Sequence, residues 1–224
     1  MAGPKRIDLT DPALASQAKL VLAGDGCIVL PTDTVYGIAA NPFSAVAVER
    51  LQAAKGRGDA FPPPVLLADL ADVDDLVAVF PPAAQALAAR WWPGALTLIL
   101  AAARRDVSLA ATVGTVGLRL PDLEPLRALL RLTGPLAVSS ANRHGQPAPS
   151  RVEQAIAQLG PAVGLYIDGG PTPGAQPSTV VDCTTVPVSI PRAGLIDPAD
   201  IRAVADAAAP QPAEWAAPFG AADA

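Results

Sequence analysis

The chain contains a single histidine and only three lysines among its 224 residues. One histidine leaves little scope for a histidine-based metal centre, and the absence of a GxSxG segment argues against a serine hydrolase of that type. The chain also lacks GxxxxGK[ST] and GxGxxG loops, so nucleotide binding through a P-loop or a dinucleotide fold is not predicted. Its two cysteines, Cys27 and Cys183, lie far apart in apolar segments, which favours two buried, reduced thiols.

Charge and long apolar segments are also scarce. Only 17% of the residues are charged, the formal net charge is -5, and five of the acids lie from Asp197 onward. Because no part of the chain is strongly basic, strong direct binding to nucleic acid is not predicted. No segment reaches the roughly 20 apolar residues that span a bilayer, and the N-terminus lacks the apolar centre of a signal peptide. We therefore expect a cytoplasmic protein without a membrane partner.

Short apolar segments alternate with helical patterns along most of the chain. This alternation predicts an α/β fold, and the closely spaced strands near the C-terminal end favour a mixed sheet over a fully parallel one. Residues 73–80 and 83–91 are both predicted to be helical. We expect residues 1–206 to form a single domain and the Ala/Pro-rich segment 207–224 to be a disordered tail.

The most informative segment follows the apolar run 27–30. It places three hydroxyl side chains and a carboxylate within Thr32-Asp33-Thr34-Val35-Tyr36, directly before Gly37. Turn chemistry accounts for Asp33 and Gly37, but it does not account for the other polar side chains. Ligands of open α/β sheets bind at the carboxyl ends of strands. The segment is therefore either a polar turn or, as we favour, part of a ligand site.

Three other segments carry polar side chains at predicted element ends. Lys55-Gly56-Arg57 follows a helix, where cations either stabilise the helix C-terminus or bind a polyphosphate. Val138-Ser139-Ser140-Ala141-Asn142 ends a strand, where an ordinary turn has the same residue preference. Arg119 lies between leucines in a strand pattern, so its side chain faces solvent or points at a bound carboxylate or phosphate.

Seven motifs in a fixed order, from about Gly24 to Gly194, resemble those of the YrdC-like family, the threonylcarbamoyl-AMP synthases. They are residues 31–37, the KxR element 55–57, Trp92-Pro93-Gly94 with Ala95-Leu96-Thr97, Gly117-Leu118-Arg119-Leu120-Pro121, Ser140-Ala141-Asn142, Ser178-Thr179-Val180-Val181-Asp182 and Pro191-Arg192-Ala193-Gly194. The resemblance implies a YrdC-like twisted, open mixed sheet flanked by helices, with a central ligand cavity. It also implies the short form of the family, without the extra C-terminal domain of longer members.

The resemblance implies an L-threonylcarbamoyladenylate synthase, a nucleotidyltransferase that condenses L-threonine, bicarbonate and ATP to threonylcarbamoyl-AMP and pyrophosphate. Mg²⁺ is expected with ATP, and a downstream threonylcarbamoyl transferase complex would use the product to modify adenosine 37 of tRNA. Two alternatives are associated with the same fold. One is a module that binds double-stranded RNA or ribosomes, and the other is a domain that forms carbamoyl adenylate from carbamoyl phosphate.

Carried over residue by residue, the family pattern implies two groups of site residues. The catalytic group is Lys55, Arg57, Ser140 and Asn142, and ATP would be bound by these residues together with Ala141, Ser150 and Arg192. Threonine would be bound by Thr32, Thr34, Tyr36, Arg119, Ser139 and Ser178, with Arg119 on its carboxylate. No protein metal site is implied, since phosphates and water would hold the Mg²⁺.

The chain departs from the family pattern at two places. Gly58 stands where many members have a proline, directly after the KxR arginine. The segment Val65-Leu66-Leu67-Ala68 lacks a histidine that helps to hold threonine in many members. The manner in which threonine is selected is therefore not implied by the resemblance.

Overall fold

The computed structural model describes residues 4–56, 62–103, 114–174 and 176–208. Arg57, Gly58 and the part of the predicted tail from residue 209 onward lie outside the described residues. The single-domain boundary at residue 206 stays a prediction, although the last described helix continues to Ala208. Within the described part of the chain, no helix has the length and apolar character needed to cross a membrane.

The described chain alternates between helices and short strands, as the sequence predicts. The α-helices are α1 (Leu14–Ala23), α2 (Ala45–Lys55), α3 (Pro82–Trp91), α4 (Glu124–Thr133), α5 (Val152–Leu159) and α6 (Pro198–Ala208). The strands are β1 (Arg6–Asp8), β2 (Ile28–Leu30), β3 (Gly37–Ala40), β4 (Val65–Leu66), β5 (Leu96–Ala101), β6 (Thr115–Arg119), β7 (Leu136–Ser140), β8 (Leu165–Asp168), β9 (Thr179–Asp182) and β10 (Ser189–Arg192). Short 3₁₀-helices cover Leu70–Val73 and Gly160–Ala162.

The strands form one ten-stranded sheet in the order β1-β8-β2-β3-β7-β4-β6-β5-β9-β10. Parallel pairs join β1 to β8, β2 to β8, β4 to β6 and β5 to β9, and the other described pairs are antiparallel. The prediction of an α/β fold with a mixed sheet is therefore confirmed.

The helices cover the sheet unevenly, and this leaves room for a cavity. On β2, Ile28 packs in an apolar cluster with α1 and α4, whereas Val29 packs in a second cluster with α2 and α5. Successive side chains of a strand point to opposite faces, so these helix pairs lie on opposite sides of the sheet. On β5, Leu98 packs in a third cluster with α3 and α6. The alternate side chains of β5, at Thr97 and Ile99, face a cavity.

The predicted helix at residues 73–80 is wrong. Only a 3₁₀-helix, Leu70–Val73, precedes this segment, and Val77 forms an isolated β-bridge with Ala102. The amide of Ala78 donates to Ala101 O at 2.9 Å. The amide of Val77 still donates to Val73 O at 3.1 Å, an i to i−4 bond, but the Ala78 amide binds the neighbouring strand, so the ladder of a helix does not continue. Tertiary pairing overrides the local pattern here.

The sequence-based prediction also omits β1, β3 and α6. The omission of β3 matters most, because the segment Thr32–Tyr36 turns out to connect two antiparallel strands, β2 and β3. The loop still follows the carboxyl end of β2, which is parallel to β8 on its other side, and it reaches the cavity.

Both cysteines are buried and unpaired, as predicted. Burial raises the pKa of the Cys27 thiol to about 11 and that of the Cys183 thiol to about 12. Neither thiol is therefore ionised near neutral pH, and both act as small apolar side chains in the core.

Candidate functional site

A cavity of about 480 Å³ lies over β5, β6 and β9, on the face of these strands that is opposite α3 and α6. This volume is within the range of small-molecule sites. Seven of the predicted site residues line it, although they are dispersed over the sequence. These are Thr32, Thr34, Arg119, Ser139, Ser140, Ser178 and Arg192. The predicted central cavity is therefore present.

The loop between β2 and β3 contributes two buried hydroxyls to the cavity wall. Thr32 Oγ1 donates to Val35 O at 2.6 Å and accepts from the amides of Thr34 and Val35 at 3.1 and 3.2 Å. Thr32 and Thr34 Oγ1 lie 3.0 Å apart. Either hydroxyl can be the donor in this pair. Thr34 Oγ1 also accepts from Arg119 Nη1 at 3.3 Å, and a hydroxyl oxygen has two lone pairs, so one acceptor position of Thr34 is left for a ligand.

Arg119 lines the cavity and is held by three partners. Its Nη2 binds Asp33 Oδ1 at 2.7 Å, its Nε donates to Gly94 O at 3.0 Å, and its Nη1 donates to Thr34 Oγ1 at 3.3 Å. Only 6% of the residue is exposed, so the alternative that Arg119 faces solvent does not hold. A guanidinium has five N–H groups, which leaves hydrogen-bonding capacity for a bound anion beyond these contacts.

Asp33 is a residue whose role the motif analysis missed. In the sequence, turn chemistry alone accounts for Asp33, whereas in the structure its carboxylate is the largely buried counterion of Arg119. Its side chain is 11% exposed, and that of Arg119 is 7% exposed. The two residues come from different elements, so local sequence gave no signal for the pair.

Ser178 and Arg192 form the opposite wall with a second missed residue, Thr97. The hydroxyls of Thr97 and Ser178 lie 2.8 Å apart, and Arg192 Nη2 donates to Ser178 Oγ at 3.0 Å. Arg192 Nε also donates to Ser178 O at 3.2 Å. Thr97 lies within one of the quoted motifs and is 2% exposed. A threonine in a segment otherwise made of leucine, isoleucine and alanine was the available sequence signal.

Lys55 lies behind the cavity wall and is 3% exposed. Its ammonium donates to Ser140 O at 2.5 Å and to Asn142 O at 3.0 Å. Lys55 therefore connects the end of α2 to the end of β7, and Ser140 is the member of this group that lines the cavity.

Asn142 has an unusual hydrogen-bonding state. Its Nδ2 donates to Arg143 O at 2.9 Å and to Gln146 O at 2.7 Å, while its buried Oδ1 has no partner among the described residues. In this orientation Asn142 Oδ1 can accept a hydrogen bond from a hydroxyl group or a water molecule. A contact with a phosphate oxygen requires one of the amide hydrogen bonds to be exchanged.

Three other predicted residues are not among those that line the cavity. The Tyr36 hydroxyl donates to Gly170 O at 2.6 Å and accepts from the Gly169 amide at 3.1 Å. Burial raises the pKa of the Tyr36 phenol, and these bonds point to a supporting role. Ser150 lies just before α5, where its amide donates to Gln154 Oε1 at 2.8 Å. Ala141 is buried among apolar side chains beside α5.

Replacing Gly194 by alanine is expected to destabilise the wall formed by Ser178 and Arg192. A Cβ at position 194 would lie 2.4 Å from Pro177 O and 2.5 Å from the backbone of Ser178, so the two segments have to separate. We expect a loss of about 1–3 kcal/mol in the free energy of unfolding, as for other overpacked positions, together with weaker ligand binding. Urea denaturation measures the first effect.

Gly24 provides the matched control for this substitution. A Cβ there meets its nearest atom at 3.6 Å, an ordinary contact. The Gly24→Ala variant should therefore unfold within about 1 kcal/mol of the wild type, the size expected of a permitted glycine replacement. Equal stability of the two variants would contradict the packing argument.

The lining residues differ in charge along the cavity. Arg119 and Arg192 are the cations among them, and Asp182 is the carboxylate. No cluster of three or more metal-ligating side chains occurs among the residues that the structure describes. The arrangement fits a ligand with anionic groups at one end and hydrogen-bond donors at the other.

Comparisons with known proteins agree with this geometry. The sequence model of the Sua5/YciO/YrdC family, described as "Telomere recombination", matches residues 20–194. A Mycobacterium leprae protein, named provisionally as a threonylcarbamoyl-AMP synthase, is 43% identical over 190 residues, covering 84% of this chain and 86% of that protein. Threonylcarbamoyl-AMP synthase of Bacillus subtilis is 39% identical over 202 residues, which is 88% of this chain and 58% of the relative.

Solved structures show the same fold. Pyrococcus abyssi Sua5 complexed with L-threonine superposes with a TM-score of 0.80 at 30% identity, covering 89% of this chain and 60% of that one. Escherichia coli YciO superposes with a TM-score of 0.76 at 27% identity, covering 88% of this chain and 98% of that one. The chain thus spans about 60% of the length of the Sua5 protein. With the family model matching most of its length, the chain belongs to the Sua5/YciO/YrdC family.

Proposed function

We propose that the protein is an L-threonylcarbamoyladenylate synthase. It condenses L-threonine, bicarbonate and ATP to threonylcarbamoyl-AMP and pyrophosphate. The observation that carries this proposal is the convergence of a buried arginine, hydroxyl groups and a second arginine on one cavity. Membership of the family, and the curated relatives named for this activity, give the chemical class.

Threonine would bind with its carboxylate on the remaining N–H groups of Arg119. Thr34 Oγ1, which already accepts from Arg119 Nη1, would use its second lone pair to accept a hydrogen bond from the amino group. The nitrogen lone pair of the amine would then point away from Thr34. Ser139 and Ser178 line the same cavity and are available to the side-chain hydroxyl. Orienting the amine in this way lowers the entropic cost of its attack.

The reaction has two bond-forming steps. In the first, the amine nitrogen attacks the carbon of bicarbonate, and the elements of water leave to give a carbamate. In the second, a carbamate oxygen attacks the α-phosphorus of ATP, the bond to the β-phosphate oxygen breaks, and pyrophosphate leaves. Both steps concentrate negative charge, so positioned cations and hydroxyls contribute more than a dedicated base.

The phosphates would lie between Ser140, at the end of β7, and Arg192 on the opposite wall. Lys55 and Asn142 would support the Ser140 end through their contacts at the end of β7. Arg57, the remaining member of the predicted catalytic group, lies outside the described residues. Mg²⁺ would enter with ATP, held by phosphate oxygens and water, which is its usual arrangement in nucleotide sites.

The cellular role follows from the product. A mixed carbamic–phosphoric anhydride is an activated acyl donor, so we infer that a transferase complex consumes it to modify adenosine 37 of tRNA in the cytoplasm. The formal net charge of -5 gives no reason to propose strong tRNA binding by this chain itself.

The deciding experiment is a search for threonylcarbamoyl-AMP by mass spectrometry. The protein is incubated with ATP, Mg²⁺, L-threonine and ¹³C-bicarbonate, and the product should carry one heavy carbon. Parallel reactions omit threonine or replace bicarbonate with carbamoyl phosphate. Product formed only from carbamoyl phosphate would favour carbamoyl-adenylate chemistry. Tight tRNA binding without any nucleotide product would favour an RNA-binding module.

A further inference from the structure

Asp182 is a cavity carboxylate with no role in the reaction proposed above. It ends β9 and lines the cavity. Its Oδ1 accepts from the amide of Thr184 at 2.9 Å and from the Thr184 hydroxyl at 2.6 Å, which fixes the orientation of the carboxyl group. Within the described chain, no hydrogen bond to Oδ2 is present. A fixed carboxylate at a cavity wall is an acceptor that a ligand can use.

The sheet register places Asp182 far from the amino-acid end of the cavity. Leu98 pairs with Leu118 on β6 and with Val181 on β9. Arg119 and Asp182 therefore lie two strands apart and are displaced by two residues along the strands. With strands about 4.8 Å apart and about 3.3 Å per residue, their Cα atoms are separated by about 12 Å.

The side chain of Arg119 increases this separation. Its guanidinium contacts Gly94, which precedes β5, and the Thr34 loop, whereas β9 runs parallel to β5 and reaches Asp182 at its far end. A threonine whose carboxylate binds Arg119 holds its amino group only two bonds away from that carboxylate. Asp182 cannot reach that amino group, so it does not serve the amino acid.

Charge decides which part of ATP lies near Asp182. Arg192 pairs with Val180 on β9, so it lies at the level of Thr97 and Arg119 rather than at the level of Asp182. Arg119 and Arg192 thus share one register position across the sheet, and Asp182 lies two residues further along its strand. The arginines attract the phosphates and the Asp182 carboxylate repels them, so the nucleoside extends toward Asp182.

We infer that Asp182 binds the ribose diol of ATP, accepting hydrogen bonds from the 2′- and 3′-hydroxyls. An ionised carboxylate only accepts, and vicinal hydroxyls are neutral donors that match its two oxygens. Ile99 and Val180 flank this position in the register and line the cavity, so they offer apolar surface to the sugar and base. The inference rests on the proposed use of ATP and adds a nucleoside subsite to it.

The test compares ATP with 2′-deoxy-ATP and 3′-deoxy-ATP as substrates for pyrophosphate release. In the wild type, kcat/KM should fall about tenfold or more when one hydroxyl is removed, as for loss of a hydrogen bond to a charged group. Asp182→Ala should lower kcat/KM for ATP to about the value for the deoxy substrates and remove the discrimination. The KM for threonine should stay unchanged.

Two further variants keep this test decisive. Asp182→Asn retains an acceptor for Thr184 and should fold normally. Its preference for ATP over the deoxy nucleotides should be smaller than that of the wild type. Asp75→Ala removes an exposed carboxylate outside the cavity and should keep the full discrimination. An unchanged ratio of ATP to deoxy-ATP activity in Asp182→Ala would overturn the inference. A changed Mg²⁺ requirement with an unchanged ratio would assign Asp182 to the metal instead.

Direct binding separates this inference from the proposed function. If the wild type releases no pyrophosphate, the synthase proposal fails, and calorimetric titration with ATP and the two deoxy nucleotides still measures the ribose contact. Equal affinity of the wild type for all three nucleotides would also overturn the inference. Loss of the affinity difference in Asp182→Ala supports it whatever the reaction.

Discussion

Replacing Arg119 by alanine is expected to abolish threonine-dependent pyrophosphate release and to destabilise the fold. The activity falls because the group proposed to bind the threonine carboxylate is removed. The stability falls because the Asp33 carboxylate, only 11% exposed, is left without its partner at 2.7 Å. Removal of one member of a buried ion pair costs about 3–5 kcal/mol, which chemical denaturation can measure.

A double variant separates these two effects. In Arg119→Met with Asp33→Asn, both charges are replaced by neutral groups of similar size, so most of the lost stability should return. The activity should not return, since methionine cannot bind a carboxylate. Recovery of threonine-dependent turnover in the double variant would contradict the assignment of Arg119 to the substrate.

The fold class and the positions of the motifs could be predicted because both depend on local patterns. Apolar segments of strand length, interleaved with helical spacing, predict an α/β fold. Hydroxyl, amide and cationic side chains at the ends of these segments predict a ligand site. Seven such residues line one cavity, although nothing in the local patterns shows that they face one another.

The contacts within the site could not be predicted, because they join distant parts of the chain. Asp33 and Arg119 are 86 residues apart in sequence, and Thr97 and Ser178 are 81 apart. Their proximity depends on the strand order, which the patterns do not specify. The same limit explains β3, since a four-residue strand of Gly, Ile and Ala has little intrinsic preference and forms because β2 and β7 lie on either side.

Lys55 illustrates how the structure changes the expected result of a substitution. From the sequence, a lysine that either stabilises a helix C-terminus or binds a polyphosphate is expected to be replaceable without loss of the fold. The structure shows a buried ammonium that donates to Ser140 O and Asn142 O. The sequence left two roles open for Lys55, stabilising a helix C-terminus or binding a polyphosphate. The structure adds a third role, which is to position the residues at the end of β7.

We expect Lys55→Ala to reduce pyrophosphate release by at least 100-fold and to lower the free energy of unfolding by about 3 kcal/mol. The second value is the scale of losing hydrogen bonds from a charged donor, because both carbonyls lose their partner. Lys55→Met keeps the length of the side chain but not its donors, so it should lose activity while recovering part of the stability through packing.

The control is Lys19→Ala, which removes an exposed lysine from α1. This variant should match the wild type in both pyrophosphate release and stability, since its side chain is solvated and lies outside the cavity wall. A Lys55→Met variant with wild-type activity would show that the ammonium neither binds a ligand nor positions Ser140. A Lys55→Met variant with the full stability of the wild type but no activity would show that the contacts with Ser140 O and Asn142 O contribute little to the fold, and it would assign to the ammonium a direct electrostatic role toward the phosphates.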